Sequence, residues 1–389
     1  MPIAATDFVP FHRVSIENDE IEAVVEVLRS GWLTTGPRVR EFETAFARYV
    51  GARHAVAVNS CTAALHLALA AIGVSEGDEV ILPTMTFAAT GEVALYFKAR
   101  PVLVDCAPGT HHLDPAAVEK AITGRTKAII PVHFGGLACD MDAILEIARA
   151  PKIKVIEDAA HALPTRYREQ MVGSLGDVTC FSFYATKTIT TGEGGMVTTD
   201  DPEYAERVRA LSLHGISRDT WDRHAAGNSW RYEILEHGFK YNLTDIQAAL
   251  GLAQLRKCDA MRARRAALAE FYTEALGDLD AFRLPEFHHD DGHAWHLYVV
   301  RVNPTALRID RDQVIEELRQ RGIGASVHFV PLHLHRLYRE RLGYRTGQFP
   351  NAEESFEASI SLPIYPQMTG EDAERVVEAL QDVAREFRR

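Results

Sequence analysis

Short apolar segments alternate with helical segments between residues 54 and 199, and this alternation constrains the fold more than any other feature of the chain. Apolar strands separated by helices are typical of a mainly parallel sheet that is covered by helices on both faces. The sequence therefore predicts an α/β fold over roughly residues 50–250. The seven predicted strands are 54–58, 79–83, 101–104, 128–132, 154–157, 178–183 and 196–199.

The pattern changes beyond this region, where strands and helices no longer alternate regularly. This mixture predicts a second, smaller α+β domain. A long helix predicted at 244–276 leads into this region. The elements predicted after it are a strand at 295–302, a helix at 311–321, a strand at 325–329 and a terminal helix at 370–386. The predicted organisation is an N-terminal arm at 1–16, a large domain at 17–261 and a small C-terminal domain at 262–389.

The composition is that of an ordinary globular protein, since 47% of the 389 residues are hydrophobic and 25% are charged. A formal net charge of −12 argues against nucleic acid or an anionic membrane as a general partner. The five cysteines are scattered without a C-x-x-C pair, which favours reduced thiols over disulfides. Because the sequence has neither a signal-peptide pattern nor a long apolar run, we expect a cytoplasmic protein without a membrane segment.

One lysine, Lys187, lies between an apolar strand and a glycine cluster, in the segment that runs from Cys180 to Gly195. Glycines let the backbone approach a ligand closely, and a rigidly held lysine suits a Schiff-base nucleophile. We therefore expect this lysine at a strand end, with catalysis as one interpretation. The plainer interpretation is a surface lysine, and spacing alone favours it.

Other polar residues also follow predicted strands. Asp158 and His161 come after an apolar strand, and an aspartate beside a buried aromatic nitrogen keeps that nitrogen protonated. Thr62 opens a helix whose amides favour a phosphate, and the Ser182 hydroxyl lies where it can reach the same group. Phe87 begins the next helix and can stack on a flat ring. Ordinary helix caps and a core aromatic are equally acceptable interpretations of these residues.

Five motifs, taken together, resemble a single known family. In chain order they are Gly31-Trp-Leu-Thr-Thr-Gly36, Glu157-Asp-Ala-Ala-His161, Phe181-Ser-Phe-Tyr-Ala-Thr-Lys187, Gly192-Glu-Gly-Gly195 and Lys240-Tyr-Asn-Leu-Thr-Asp-Ile-Gln247. They resemble the DegT/StrS-type sugar aminotransferases, which are enzymes of fold type I that depend on pyridoxal 5′-phosphate (PLP). The resemblance implies a large domain with a mainly parallel seven-stranded sheet and a small α+β domain.

The resemblance also implies a role for each candidate residue. Lys187 would hold PLP covalently and move the proton between the substrate carbon and the cofactor. Asp158 would pair with the pyridine nitrogen, which makes the ring an electron sink. His161 would lie near the phenolic oxygen, and Phe87 would stack on the ring. The phosphate would be held by Thr62, Ala63 and Ser182.

Asn242, in the last motif, would reach the phosphate of the neighbouring subunit's cofactor. The resemblance therefore implies a homodimer with shared active sites. Its substrates would be a nucleotide-linked sugar and L-glutamate as the amino donor. The segments 214–219 and 232–245 resemble the branch that aminates position four of 4-keto sugars, either 6-deoxy sugars or pentoses. Amination at position three is the alternative.

Seven further residues are predicted to contact the substrate. The cations among them suit a diphosphate, because guanidinium and ammonium groups bind such an anion in a cleft. The set is Thr35, Tyr184, Glu193, Arg218, Arg231, Lys240 and His328.

Two other classes of function stay open on the sequence, a PLP-dependent sugar dehydratase and a non-catalytic sugar-binding protein. Dehydratases of the family carry histidine in place of the lysine, so Lys187 favours amino transfer. No metal site is predicted. The segment His288-His289-Asp290-Asp291-Gly-His293 lacks the i, i+4 spacing of a zinc pair and indicates a polar turn.

Overall fold

The computed structural model describes residues 8–216, 232–286 and 292–389. Its strands are β1 (His54–Val58), β2 (Glu79–Pro83), β3 (Arg100–Val104), β4 (Thr126–Ile129), β5 (Lys154–Asp158), β6 (Arg166–Tyr167), β7 (Gln170–Met171), β8 (Val178–Ser182), β9 (Gly195–Thr199), β10 (Phe282–Arg283), β11 (Tyr298–Val302) and β12 (Ser359–Leu362).

The central sheet contains seven strands in the order β1-β9-β8-β5-β4-β2-β3. The five strands from β8 to β3 pair in parallel, whereas β9 is antiparallel to both β8 and β1. Successive side chains along β5 and β8 are buried, as expected of a sheet covered on both faces. This arrangement confirms the predicted α/β fold with its mainly parallel seven-stranded sheet.

The helices cover the faces of this sheet and build the rest of the protein. One of them, α3, is apolar on every side and is buried from Ala63 to Ala71, as expected of a helix in the centre of a core. The helices are α1 (Asn18–Ser30), α2 (Pro37–Val50), α3 (Cys61–Ala71), α4 (Ala88–Tyr96), α5 (Pro115–Ala121), α6 (Met141–Arg149), α7 (Pro202–Ser212), α8 (Asp245–Arg256), α9 (Cys258–Leu276), α10 (Arg311–Gln320), α11 (Arg336–Leu342), α12 (Pro350–Ala358) and α13 (Gly370–Glu386).

A second, antiparallel sheet of three strands, β10-β11-β12, lies in the C-terminal part of the chain. The side chains of α9, α10 and α13 pack on it in a separate hydrophobic cluster that includes Trp295 and Tyr298. The N-terminal arm joins this cluster, because Val9 is fully buried and pairs with Ile323. The predicted domain boundary at residue 261 falls inside α9 and stays a prediction.

The structure corrects three expectations. The long helix predicted at 244–276 is two helices, α8 and α9, which meet at Lys257. The strand predicted at 325–329 is absent from this described segment, where only an isolated bridge joins Ser326 to Ser361. Lys187 does not lie on a strand end, since β8 ends at Ser182 and the lysine follows in the loop.

Several short elements have no counterpart in the sequence expectations, namely the β6–β7 hairpin, β10, α11, α12 and β12. Elements this short carry too few residues to establish a periodicity. All five cysteines are free thiols, and four of them are buried. Among the described residues, no helix is both long and apolar enough to cross a membrane.

Glu43 on α2 connects three elements, and we expect its removal to destabilise the fold. Its carboxylate accepts two hydrogen bonds from the Arg209 guanidinium, at 3.1 and 2.9 Å, and one from the Ala57 amide at 2.9 Å. Glu43→Ala leaves these donors without their acceptor. It should lower the free energy of unfolding by about 3 kcal/mol, measured by urea denaturation.

The matched control is Glu41→Ala on the same helix. The Glu41 side chain is 53% exposed and pairs with Arg38 at the surface. Surface pairs contribute little, so this variant should change the free energy of unfolding by less than about 1 kcal/mol. If the two variants lowered the free energy of unfolding equally, the contacts of Glu43 would contribute no more to stability than the surface pair of Glu41.

Candidate active site

A cavity of ≈ 550 Å³ opens at the carboxyl ends of β5 and β8. One wall is formed by the sheet and by the first turns of α3 and α4, and the other by residues near β11 and by the segment around residue 328. The predicted site residues that line it are Thr62, Phe87, Asp158, His161, Ser182, Tyr184, Lys187, Glu193 and His328. The structure therefore brings together nine residues that are far apart in sequence.

Asp158 is the last residue of β5, and its side chain is held on the floor of the cavity. Oδ2 accepts a hydrogen bond from the Thr90 hydroxyl at 2.7 Å, and Oδ1 accepts one from the Ala160 amide at 3.1 Å. Burial raises the pKa of this carboxyl, while both hydrogen bonds oppose that shift. A buried carboxylate with lone pairs remaining suits a partner that carries a positive charge or an N–H group.

Lys187 lies in the loop after β8, where its backbone amide donates to the Tyr184 carbonyl at 2.9 Å. The side chain is partly buried. Desolvation lowers the pKa of its ammonium group from 10.5 to about 8, while Cys61 and Asp158 act in the opposite direction. A lysine that readily loses its proton near neutral pH can act as a nucleophile and as a base.

His161 is buried beside this lysine, and its Nδ1 accepts a hydrogen bond from the Gly135 amide at 3.2 Å. The accepting nitrogen carries no proton, so the neutral ring carries its hydrogen on Nε2. Burial lowers the pKa of His161 well below 6.5, which favours this neutral form. His161 therefore presents an N–H donor without adding a charge.

The other side of the cavity carries a second group of rings. The His296 ring lies 4.4 Å from that of His161, centroid to centroid, and the Phe329 ring stacks against His161 at 5.8 Å. His328 Nδ1 lies 2.8 Å from the Ser361 hydroxyl, and burial lowers the pKa of His328 to about 4. This wall is thus aromatic and mainly uncharged.

The polar end of the cavity is the N-terminus of α3. Ser60 caps the helix by accepting a hydrogen bond from the Ala63 amide at 3.0 Å, so that this amide is already used. Thr62 and Ser182 both line the cavity here, whereas Ala63 lies behind them. Gly195 packs so closely that a Cβ there would lie 2.5 Å from the Ser60 carbonyl oxygen.

Phe87 is the N-cap of α4, and its ring is 60% exposed at the cavity. An aromatic ring that is exposed in this position can cover a flat ligand, which is unusual for a core residue. Tyr184 is also exposed, at 46%. Glu193 lines the cavity as well, and its backbone carbonyl accepts a hydrogen bond from Gln247 at 2.6 Å.

Three predicted residues form a separate cluster that does not line this cavity. The Asn242 amide donates to the Thr35 hydroxyl at 2.7 Å, and the Lys240 ammonium donates to the Asn242 side-chain oxygen. Lys240 is exposed and the other two are partly exposed. Arg218 and Arg231, the remaining cations, lie outside the described residues.

Sequence reasoning missed several residues of the site. Thr86, Thr90, His12 and His296 all line the cavity. The spacing of the two threonines, four residues apart at a helix start, was a usable signal. No sequence pattern indicated His12, which reaches the cavity from the N-terminal arm.

Among the described residues, no group of three or more His, Cys, Asp or Glu side chains could hold a metal ion. Residues 288–291 of the predicted polar turn lie outside them, and His293, its last residue, is buried.

The DegT/DnrJ/EryC1/StrS aminotransferase family matches residues 14–381. The chain belongs to this family. The spore coat polysaccharide biosynthesis protein SpsC of Bacillus subtilis is 48% identical over 379 residues, which cover 97% of each protein. This agrees with the family resemblance of the five sequence motifs.

Comparison with solved structures agrees with this family assignment. Spr1654 of Streptococcus pneumoniae in its PMP form has a TM-score of 0.90 at 35% identity, covering 97% of this chain and 98% of that one. It is also solved in a PLP form. Helicobacter pylori PseC, an aminotransferase involved in the biosynthesis of pseudoaminic acid, has a TM-score of 0.90 at 29% identity, covering 98% and 100%. The chain is a sugar aminotransferase, and its cofactor is PLP.

The residues of the cavity fit this cofactor. A lysine with a lowered pKa, a buried carboxylate and a helix N-terminus lie around one space, and PLP carries an aldehyde, a basic ring nitrogen and a phosphate. The exposed ring of Phe87 supplies a face for the pyridine.

Gly195→Ala should weaken PLP binding. The added Cβ would lie 2.5 Å from the Ser60 oxygen and 2.8 Å from the Cys61 nitrogen, so the first turn of α3 must move. We expect the affinity for PLP to fall by at least about tenfold, measured by titrating the apoprotein with the cofactor. Gly124→Ala is the matched control, because a Cβ added there has no atom within 4 Å apart from those of the glycine and its chain neighbours. Wild-type affinity in the Gly195 variant would show that this contact does not matter.

Proposed function

We propose that the protein transfers an amino group from L-glutamate to position four of a nucleotide-linked 4-keto sugar. The observation that carries the proposal is that Lys187 and Asp158 line one cavity, with the lysine pKa lowered to about 8. A proton-transferring amine and a buried carboxylate are the two groups that amino transfer requires of the protein. The motifs at 214–219 and 232–245 support position four.

When bound, PLP carries the amino group between the two substrates and withdraws electrons from the carbon that loses its proton. The residues then have separate tasks. Lys187 Nζ removes the proton from the donor carbon and returns it to the sugar carbon. With a pKa of about 8, a tenth of this amine is neutral at about pH 7. The neutral form can accept a proton, and the charged form can donate one.

Asp158 holds the ring nitrogen in its protonated form. Its two hydrogen bonds, from Thr90 and Ala160, stabilise the ionised carboxylate against the effect of burial. His161 would donate from Nε2 to the phenolic oxygen. This role agrees with the proton position that the Gly135 amide imposes.

The other contacts orient the cofactor and exclude water. Phe87 would cover one face of the ring, and the phosphate would lie at the N-terminus of α3, where backbone amides and the helix dipole favour an anion. We propose that Thr62 and Ser182 hold the phosphate directly and that Ala63 supports them from behind, because its amide already donates to Ser60.

A homodimer is the second part of the proposal. The cluster of Thr35, Lys240 and Asn242 is hydrogen-bonded and faces outward, as a contribution to a neighbour's site requires. Nearby apolar side chains support a partner surface, since Ile21, Leu28 and Leu33 are 44–53% exposed. We further propose that Tyr184, Glu193, His328, Arg218 and Arg231 contact the nucleotide sugar.

The rate at which the apoprotein captures PLP should depend on pH through Lys187. Only the neutral amine attacks an aldehyde, so the rate constant should rise about tenfold per pH unit below the lysine pKa and level off above about 8. Stopped-flow absorbance on mixing apoprotein with PLP measures this rate. Nα-acetyl-lysine, the control amine, should level off only near 10.5. A capture rate that rises through pH 10 would contradict the lowered pKa.

A panel of substrates tests the reaction itself. With L-glutamate as the donor, we expect turnover of 4-keto nucleotide sugars to exceed that of 3-keto sugars by at least about tenfold in kcat/KM, which corresponds to a difference of 1.4 kcal/mol in transition-state binding. Product formation is measured by mass spectrometry. Lys187→Ala, the control, should lose at least about a thousandfold in rate. A preference for 3-keto sugars would contradict amination at position four and support amination at position three.

A further inference from the structure

A chain of two threonine hydroxyls ends on the Asp158 carboxylate. Thr90 Oγ1 lies 2.7 Å from Asp158 Oδ2, and Thr86 Oγ1 lies 2.7 Å from Thr90 Oγ1. The two threonines are 0% and 1% exposed, respectively. The two threonine hydroxyls are therefore shielded from water. A hydrogen bond to a charged group is strongest in such a water-poor environment.

The number of available protons determines which group donates in each of these two hydrogen bonds. An ionised carboxylate only accepts, so Thr90 must donate its single hydroxyl hydrogen to Asp158. Thr90 can then only accept from Thr86, which must donate. Both hydroxyls thus point their positive ends towards the carboxylate, and each bond polarises the next.

No other side chain in the described parts of the protein donates a hydrogen bond to this carboxylate. Its second bond comes from the Ala160 amide, which no substitution of a side chain removes. The backbone around Asp158 is held independently, because its amide donates to the Pro131 carbonyl at 2.9 Å and its carbonyl accepts from the His133 amide at 3.1 Å. The ionisable neighbours that act on it are Lys187 and His133.

We propose that Thr90 is a positioning residue that sets the proton affinity of Asp158, and that Thr86 strengthens its effect. The hydrogen bond favours the ionised carboxylate, which keeps the shared proton on the pyridine nitrogen of PLP. The inference rests on the role of Asp158 in the proposed function. Thr90 acts through Asp158 and contacts neither substrate nor cofactor in this scheme.

A purely structural role for Thr90 predicts different results. The residue lies in the first turn of α4, where its amide donates to the Phe87 carbonyl at 3.2 Å, and it fills buried space. Valine has nearly the same shape as threonine but no hydroxyl, whereas serine keeps the hydroxyl and loses a methyl group. Comparing the two variants separates hydrogen bonding from packing.

The test uses the PLP-loaded enzyme with an isotope label on the pyridine nitrogen. In Thr90→Val the nitrogen resonance should move towards the neutral form, and the kcat of the glutamate half-reaction should fall about tenfold with little change in KM. Thr90→Ser should keep the wild-type resonance. A wild-type resonance in the valine variant, or the same shift in both variants, would overturn the proposal.

Asp158→Asn distinguishes failure of this inference from failure of the proposed function. If the asparagine variant shifts the resonance and Thr90→Val does not, Asp158 keeps its role and only the threonine inference fails. If neither variant shifts it, the role of Asp158 itself is wrong. Should Thr90→Val fail to fold, as judged by circular dichroism, Thr86→Val carries the test. A smaller shift of the same sign supports the proposal, and an unshifted resonance overturns it.

Discussion

The parallel pairing of β5 with β8 is the interaction on which the active site depends. In this register Asp158 lies opposite Cys180, so that both strands end at one edge of the sheet. β5 then delivers the carboxylate and His161, and β8 delivers Ser182 and the loop that carries Lys187. A slip of one residue would turn the carboxylate to the opposite face of the sheet. The sheet thus places the carboxylate, whereas the loop that follows β8 places Lys187.

Burial also determines how charge is distributed in the cavity. The pKa values of His161, His296 and His328 are all lowered, chiefly by desolvation, so these rings stay neutral. Lys187 and Asp158 are the two ionisable groups of the cavity that the proposed reaction uses. Neutral rings can orient a sugar by hydrogen bonding without competing with the lysine for its proton.

The strands of the central sheet and the position of Asp158 could be predicted, because an apolar run followed by a polar residue is a local pattern. The contact between Thr90 and Asp158 could not, since it joins residues 68 positions apart through one rotamer. The break at Lys257 was missed because the sequence around it forms helix on both sides. The segment at 325–329 has strand-like residues, yet only Ser326 finds a bridging partner.

The N-terminal arm has a consequence for how the chain is made. Val9 is fully buried, and it exchanges backbone hydrogen bonds with Gly322 and Gly324. During synthesis the ribosome must add more than 300 residues before this partner exists. The arm can therefore dock only after these later residues have been translated, and until then the apolar side chain of Val9 has no burial site.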